Sequence, residues 1–135
     1  MTELTDRHHR NMTYLRLSVT DRCNLRCAYC APRTPFTVLS HNDILKYEEM
    51  LRIVRAGVHL GIRKVRVTGG EPLVRKGICG FLKQLHEIEG LKDISITTNG
   101  VLLREHLDGL KSAGIQRLNI SLDTMERDCF QALTK

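Results

Sequence analysis

Four short segments of the chain alternate polar and apolar residues with a period of two, and each is followed by a stretch with helical spacing. The strand-like segments are 14–19, 64–68, 93–97 and 117–121. The first predicted helix runs over 42–60. Ser40 and Asp43 form a capping box at its start, Ile44, Tyr47, Leu51, Val54 and Val58 make one stripe, and Gly61 ends it. A second over 77–88 buries Ile78, Phe81, Leu82 and Leu85. A third over 104–113 presents Leu107 and Leu110 and stops at Gly114, and a fourth follows Asp123 with Met125, Phe130 and Leu133. Strands alternating with helices of this length imply βαβ units and a parallel sheet, an α/β fold.

The strand faces narrow the choice. Leu15, Leu17 and Val19, Val65 and Val67, Ile94 and Ile96, and Leu118 and Ile120 share one side, facing the helices. Arg16 and Ser18, Arg66 and Thr68, Ser95 and Thr97, and Asn119 and Ser121 share the other. A doubly wound sheet buries both faces, and a closed TIM barrel fills its lumen with branched aliphatics. One polar face in all four strands points instead to an open or wide barrel around a large hydrophilic ligand. Two inward arginines are costly unless an anion meets them, and guanidinium forks suit phosphate oxygens.

Ligand sites in parallel α/β folds lie at the carboxyl ends of the strands. After the first strand comes a C-x3-C-x2-C run, Cys23, Cys27 and Cys30. After the second comes Gly69-Gly70-Glu71-Pro72, after the third Thr98-Asn99-Gly100, and the fourth leads into Leu122-Asp123. Closely spaced thiolates hold soft metals or iron–sulfur clusters. Three of them on a [4Fe-4S] cubane leave one iron open to a ligand. A zinc site wants four ligands and would recruit a histidine such as His41. A disulfide framework fits poorly with five cysteines and a polar N-terminus unlike a signal peptide.

The 135 residues suit one domain, read as an N-terminal tail (1–13) followed by a core (14–135). No apolar run approaches a membrane span, so a cytoplasmic location is expected. A net charge of +6 favours an anionic partner, while six aromatics and no Trp argue against a base-stacking surface for nucleic acid. Cys79 and Cys129 read as packed thiols, His8 and His9 as solvated, Glu71 as a loop brace, and Tyr14 as packing at the base of the sheet.

The segments 14–24, 27–30, 65–73, 97–100 and 118–123 carry a resemblance. Tyr14-Leu15-Arg16-Leu17-Ser18-Val19-Thr20-Asp21-Arg22-Cys23-Asn24 and Val65-Arg66-Val67-Thr68-Gly69-Gly70-Glu71-Pro72-Leu73 are its most specific parts. The chain resembles the radical S-adenosylmethionine (SAM) superfamily and, within it, the MoaA family of GTP 3',8-cyclases of molybdenum cofactor biosynthesis, from about Met12 onward. The resemblance implies a partial TIM-like barrel and a lyase that cleaves SAM at a [4Fe-4S] cluster and cyclises GTP to 3',8-cyclo-7,8-dihydro-GTP. It implies that Cys23, Cys27 and Cys30 ligate the cluster, that Tyr29, Gly70 and Ser121 contact SAM, and that Arg16, Arg66 and Thr97 contact GTP, with no catalytic residue beyond the cluster. It also implies an electron donor such as flavodoxin or ferredoxin. Another radical SAM enzyme acting on a peptide or RNA, or a non-catalytic iron–sulfur or zinc module, is the alternative reading.

The chain departs from that family in length. MoaA proteins carry further βα units and a second three-cysteine cluster that binds the purine, and Cys79 and Cys129 lack its spacing. About four strands leave the usual six-strand partial barrel unfinished, so only the N-terminal part is matched and an open edge favours self-association. Ala31-Pro32 stands where the family often has Met-Pro.

Overall fold

The computed structural model describes residues 4–30, 38–40 and 42–135, so Ala31-Pro32 and His41 lie outside the described residues. Strands β1 (Tyr14–Ser18), β2 (Lys64–Thr68), β3 (Asp93–Thr98) and β4 (Arg117–Ile120) form one sheet in sequence order. Every pairing is parallel, and each crossover carries a helix: α1 (Tyr47–His59), α2 (Ile78–His86) and α3 (Leu103–Ser112), with α4 (Arg127–Thr134) after β4. The expected α/β fold of parallel βα units is present.

Register turns the alternation into layers. Leu17 pairs with Val67, Val67 with Ile96, and Ile96 with Leu118, so one apolar row crosses the whole sheet. Helices cover that side: Met50, Leu51 and Val54 of α1, Phe81, Leu82 and Leu85 of α2, and Leu110 of α3 are buried with Val65, Val67 and Ile96. Burial of each such side chain is worth about 1.5–3 kcal/mol. Tyr47 stacks on Phe81 with ring centroids 4.5 Å apart, which pins α1 to α2.

On the polar side, Arg16 pairs with Arg66, Arg66 with Ser95, and Ser95 with Arg117. Arg117 is an arginine that the alternation had not singled out. Its guanidinium pairs with the Asp93 carboxylate, so this charge is already met. Arg66 lies over the Tyr14 ring, 5.6 Å from its centroid, and its Nε is buried without a hydrogen-bond partner. Tyr14 is 41% exposed and serves as a platform for Arg66.

Several expectations need correction. Helix α1 begins at Tyr47, not Asn42. Ser40 Oγ does reach Asp43 Oδ2 at 2.6 Å, but it closes a separate turn. The helix start is held instead by Lys46 N–H donating to Glu49 Oε2 at 2.6 Å. Ile120, read on the helix-facing side, and Leu107, read with Leu110 on the stripe of the third helix, are each 53% exposed. Ile120 lies on β4, whose sole strand neighbour among the described residues is β3. Met125 precedes α4 and is 87% exposed, and Cys129 is exposed where a packed thiol was expected. Cys79 is partly buried, 3.8 Å from His106 Nδ1. Residues 4–13 close a small loop through an antiparallel bridge between Thr5 and Asn11, and Leu4 N–H donates to Leu60 O at 2.9 Å.

Candidate functional site

The carboxyl ends of β1 and β2 continue to pair beyond the regular strands. Gly70 N–H donates to Thr20 O at 2.7 Å and Glu71 N–H to Arg22 O at 2.8 Å. This approach needs glycine. A Cβ on Gly70 would meet the Arg22 carbonyl well inside van der Waals contact, and Gly69 adopts φ 149° against the Thr20 backbone. The two glycines therefore let the segment leading into Cys23 lie flat on the β2 loop.

Glu71 then ties β2 to β3. Its side chain is 1% exposed. Oε1 accepts from Leu73 N at 3.1 Å and from Thr98 Oγ1 at 2.7 Å, while Oε2 accepts from Asn99 N at 2.7 Å. The expected loop brace is thus a buried carboxylate with three donors. The cysteine loop is clamped from the far side by α4. Arg26 N–H donates to Thr134 O at 2.8 Å and Ala28 N–H to Leu133 O at 2.9 Å, so helix-end carbonyls meet loop amides.

A cavity of about 220 Å³ opens between these parts. Cys23, Cys27, Cys30, Tyr29, Gly70 and Ser121 are among the residues that line it, with Thr97 at its β3 wall. The cavity thus brings together seven of the nine sequence-derived site residues. Arg16 and Arg66 are outside its lining, on the polar sheet face below it.

The electrostatics of the cavity are anionic. The Tyr29 hydroxyl donates to Asp123 Oδ2, and this bond, followed by burial and the neighbouring Cys27, pushes the phenol well above its ordinary value. Burial pushes the Cys30 thiol up, and the charges of Cys27, Cys23 and Asp123 add to it. Three thiols and a carboxylate crowded together favour a cationic centre, which would relieve that repulsion. Among the described residues no group of three or more His, Cys, Asp or Glu is placed to hold a metal ion. A polynuclear cluster would take each thiolate at a separate iron, and Cys23, Cys27 and Cys30 all line this cavity.

Asn99, Asp123 and Thr134 also belong to this wall, and their roles were not read from the sequence. Thr98-Asn99-Gly100 looked like a turn, and Asn99 does take that role, with its Oδ1 accepting from Val101 N at 3.0 Å. Its second role, through Nδ2 to Asn24 Oδ1 at 2.7 Å, spans 75 residues and leaves no local signal.

Comparison with known proteins follows the same lines. The family model described as the Radical SAM superfamily matches residues 17–135. The chain is 58% identical over 133 residues to a protein of Geobacter sulfurreducens named GTP 3',8-cyclase, covering 98% of this chain and 41% of that one. It is 53% identical over 133 residues to a Thermodesulfovibrio yellowstonii protein of the same name, with the same coverage. The chain therefore spans about two fifths of the length of these relatives. Among solved structures, Streptococcus suis SuiB bound to S-adenosylmethionine aligns with a TM-score of 0.71 at 23% identity, over 90% of this chain and 26% of that one. BtrN in complex with AdoMet and 2-DOIA aligns with a TM-score of 0.61 at 21% identity, over 98% of this chain and 52% of that one. At such identities the structural likeness concerns the fold.

Proposed function

This chain belongs to the radical SAM superfamily, and on that premise we propose that it forms the SAM-cleaving part of a GTP 3',8-cyclase. Cys23, Cys27 and Cys30 would hold the [4Fe-4S] cluster, since their sulfurs line one cavity at the carboxyl end of the sheet. When bound, the cluster and SAM together supply radical hydrogen-atom abstraction. The chain itself binds, orients and excludes water.

Gly70, Tyr29 and Ser121 would receive SAM. The carboxyl-end loops of β1, β2 and β4 carry one each, so a single ligand can bridge all three. Arg16, Arg66 and Thr97 would receive GTP on the polar sheet face. Arg66 carries this part of the reading: its Nε is buried without a partner, whereas the neighbouring Arg117 is neutralised by Asp93. An arginine on the polar face with no carboxylate partner among the described residues and a buried, unbonded Nε suits an anionic ligand, and guanidinium suits phosphate. Cyclisation of GTP to a 3',8-cyclo nucleotide is the activity of the whole enzyme proposed here, with its electron drawn from a small carrier such as flavodoxin or ferredoxin. The site asks no side chain of this chain to act as nucleophile or general base.

The carrying observation is the convergence of the three thiols with the Gly69-Gly70 rim and Ser121 on one cavity. The test is anaerobic reconstitution with iron and sulfide, reduction with a one-electron reductant such as dithionite, then SAM addition with and without GTP. We expect iron–sulfur absorption that disappears in Cys23→Ala, Cys27→Ala and Cys30→Ala, SAM-dependent release of methionine, and GTP binding weakened by Arg66→Ala. A full cluster retained in any of the three cysteine variants overturns the assignment.

A further inference from the structure

The Cys23 sulfur meets two nitrogen donors: Leu25 N–H donates to Cys23 Sγ at 3.4 Å and Asn99 Nδ2 at 3.8 Å, while Asn24 Oδ1 lies 3.9 Å away. The Asn99 amide has little freedom to turn away. Its oxygen is taken by Val101 N–H at 3.0 Å, its nitrogen also donates to Asn24 Oδ1 at 2.7 Å, and its own backbone N–H is held by Glu71 Oε2 at 2.7 Å. With the oxygen committed to a donor, the nitrogen must be the end that faces sulfur. On the other side of the cavity the Tyr29 hydroxyl pairs with Asp123 and lies beside Cys27, and Cys30 faces the charges of Cys27, Cys23 and Asp123.

We propose that Asn99 is a positioning residue that hydrogen-bonds the Cys23 thiolate and thereby raises the reduction potential of the cluster bound there. This rests on the cluster assignment above. Reduction adds negative charge that spreads onto the thiolate sulfurs. An N–H aimed at one of them therefore stabilises the reduced state more than the oxidised one. Asp123, whose charge reaches Cys30, opposes reduction, and Asn99 offsets it from the β3 side. Glu71 acts one step further back, by holding the Asn99 backbone.

The test is a redox titration of the reconstituted chain, followed by electron paramagnetic resonance of the reduced cluster, with iron content measured in parallel. Asn99→Ala deletes the donor without adding charge. Asn99→Asp keeps an acceptor for Val101 and the backbone bond to Glu71 but points an anion at sulfur. We expect the potential to fall from wild type to Asn99→Ala and further to Asn99→Asp, at unchanged iron content. An unmoved Asn99→Ala overturns the inference even if Asn99→Asp shifts, because charge alone would then explain the latter. If Asn99→Ala takes up no iron, Asn24→Ala decides, since it removes the anchor of Asn99 Nδ2. It should shift the potential the same way by less, and no shift there is equally fatal. A wild-type chain that assembles no cluster overturns the site assignment and this inference with it.

Discussion

Glu71 accepts three hydrogen bonds at 1% exposure, so its carboxylate is a joint rather than a spare charge. Two oxygens serving three donors on β2 and β3 cannot be imitated by an amide. Glu71→Gln keeps the volume but turns an –NH2 toward at least one N–H or O–H, leaving buried donors facing each other. Loss of a charged, buried acceptor costs about 1.5–3 kcal/mol. The expected outcome is a lowered urea midpoint with an unchanged slope. An unaltered midpoint would show that the loop ends are held elsewhere. Gly70 is the second residue whose identity is dictated by contact. The Arg22 carbonyl occupies the space a side chain would need, which accounts for glycine at this position whether or not a ligand also approaches it.

At the scale of elements, α4 matters through its last turn. Carbonyls of Leu133 and Thr134 would be unpaired at a helix end, and the cysteine loop supplies the missing amides from Arg26 and Ala28. Fraying of α4 should therefore loosen the cysteine loop, although no α4 side chain belongs to the proposed ligand set. Ala132→Gly costs about 1 kcal/mol of helix stability, on the order of a fivefold change in a local opening constant. Hydrogen exchange at the Arg26 and Ala28 amides should accelerate by that factor, while the buried β2 and β3 amides keep their rates. Equal acceleration everywhere would mean that α4 and the core open as one unit. Arg75 plays a comparable part at α1: its guanidinium donates to Leu45 O at 2.7 Å and to Val19 O and lies 4.1 Å from the Tyr47 ring centroid. That explains why an arginine can sit partly buried there without a carboxylate.

Across the whole molecule, the two sides of the sheet have opposite fates. The helical side is packed, and the polar side carries Arg16 and Arg66. Among the described residues β1 and β4 each have one strand neighbour, so each carries an outer edge. Ile120 of β4 and Leu122 just after it are each more than half exposed, so this edge is also apolar. An apolar open edge invites pairing with another copy. This chain should therefore self-associate increasingly with concentration in sedimentation velocity. The double variant Ile120→Lys and Leu122→Lys should shift the distribution toward monomer without changing iron uptake. A wild-type chain that stays monomeric at every concentration would show that the edge is protected. No helix among the described residues is long and apolar enough to cross a membrane.

Period-two alternation and its interruption by helical stripes determined the α/β order and the apolar row Leu17, Val67, Ile96 and Leu118, because side-chain direction in a strand is set by position alone. The three cysteines were equally legible, since their chemistry and spacing are local. What lay beyond reading was long-range. Arg117 is neutralised by Asp93, Asn99 reaches Asn24 and the Cys23 sulfur, Asp123 takes the Tyr29 hydroxyl, and α4 clamps the cysteine loop. Each of these partners is separated by many residues in sequence and meets only when the parallel strands align: Asp93 and Arg117 at the amino ends of β3 and β4, the others around the carboxyl-end rim. The start of α1 escaped for a related reason. Ser40 and Asp43 have the residue types of a cap, but their side chains bond to each other in a turn, and the helix begins where Tyr47 can stack on Phe81.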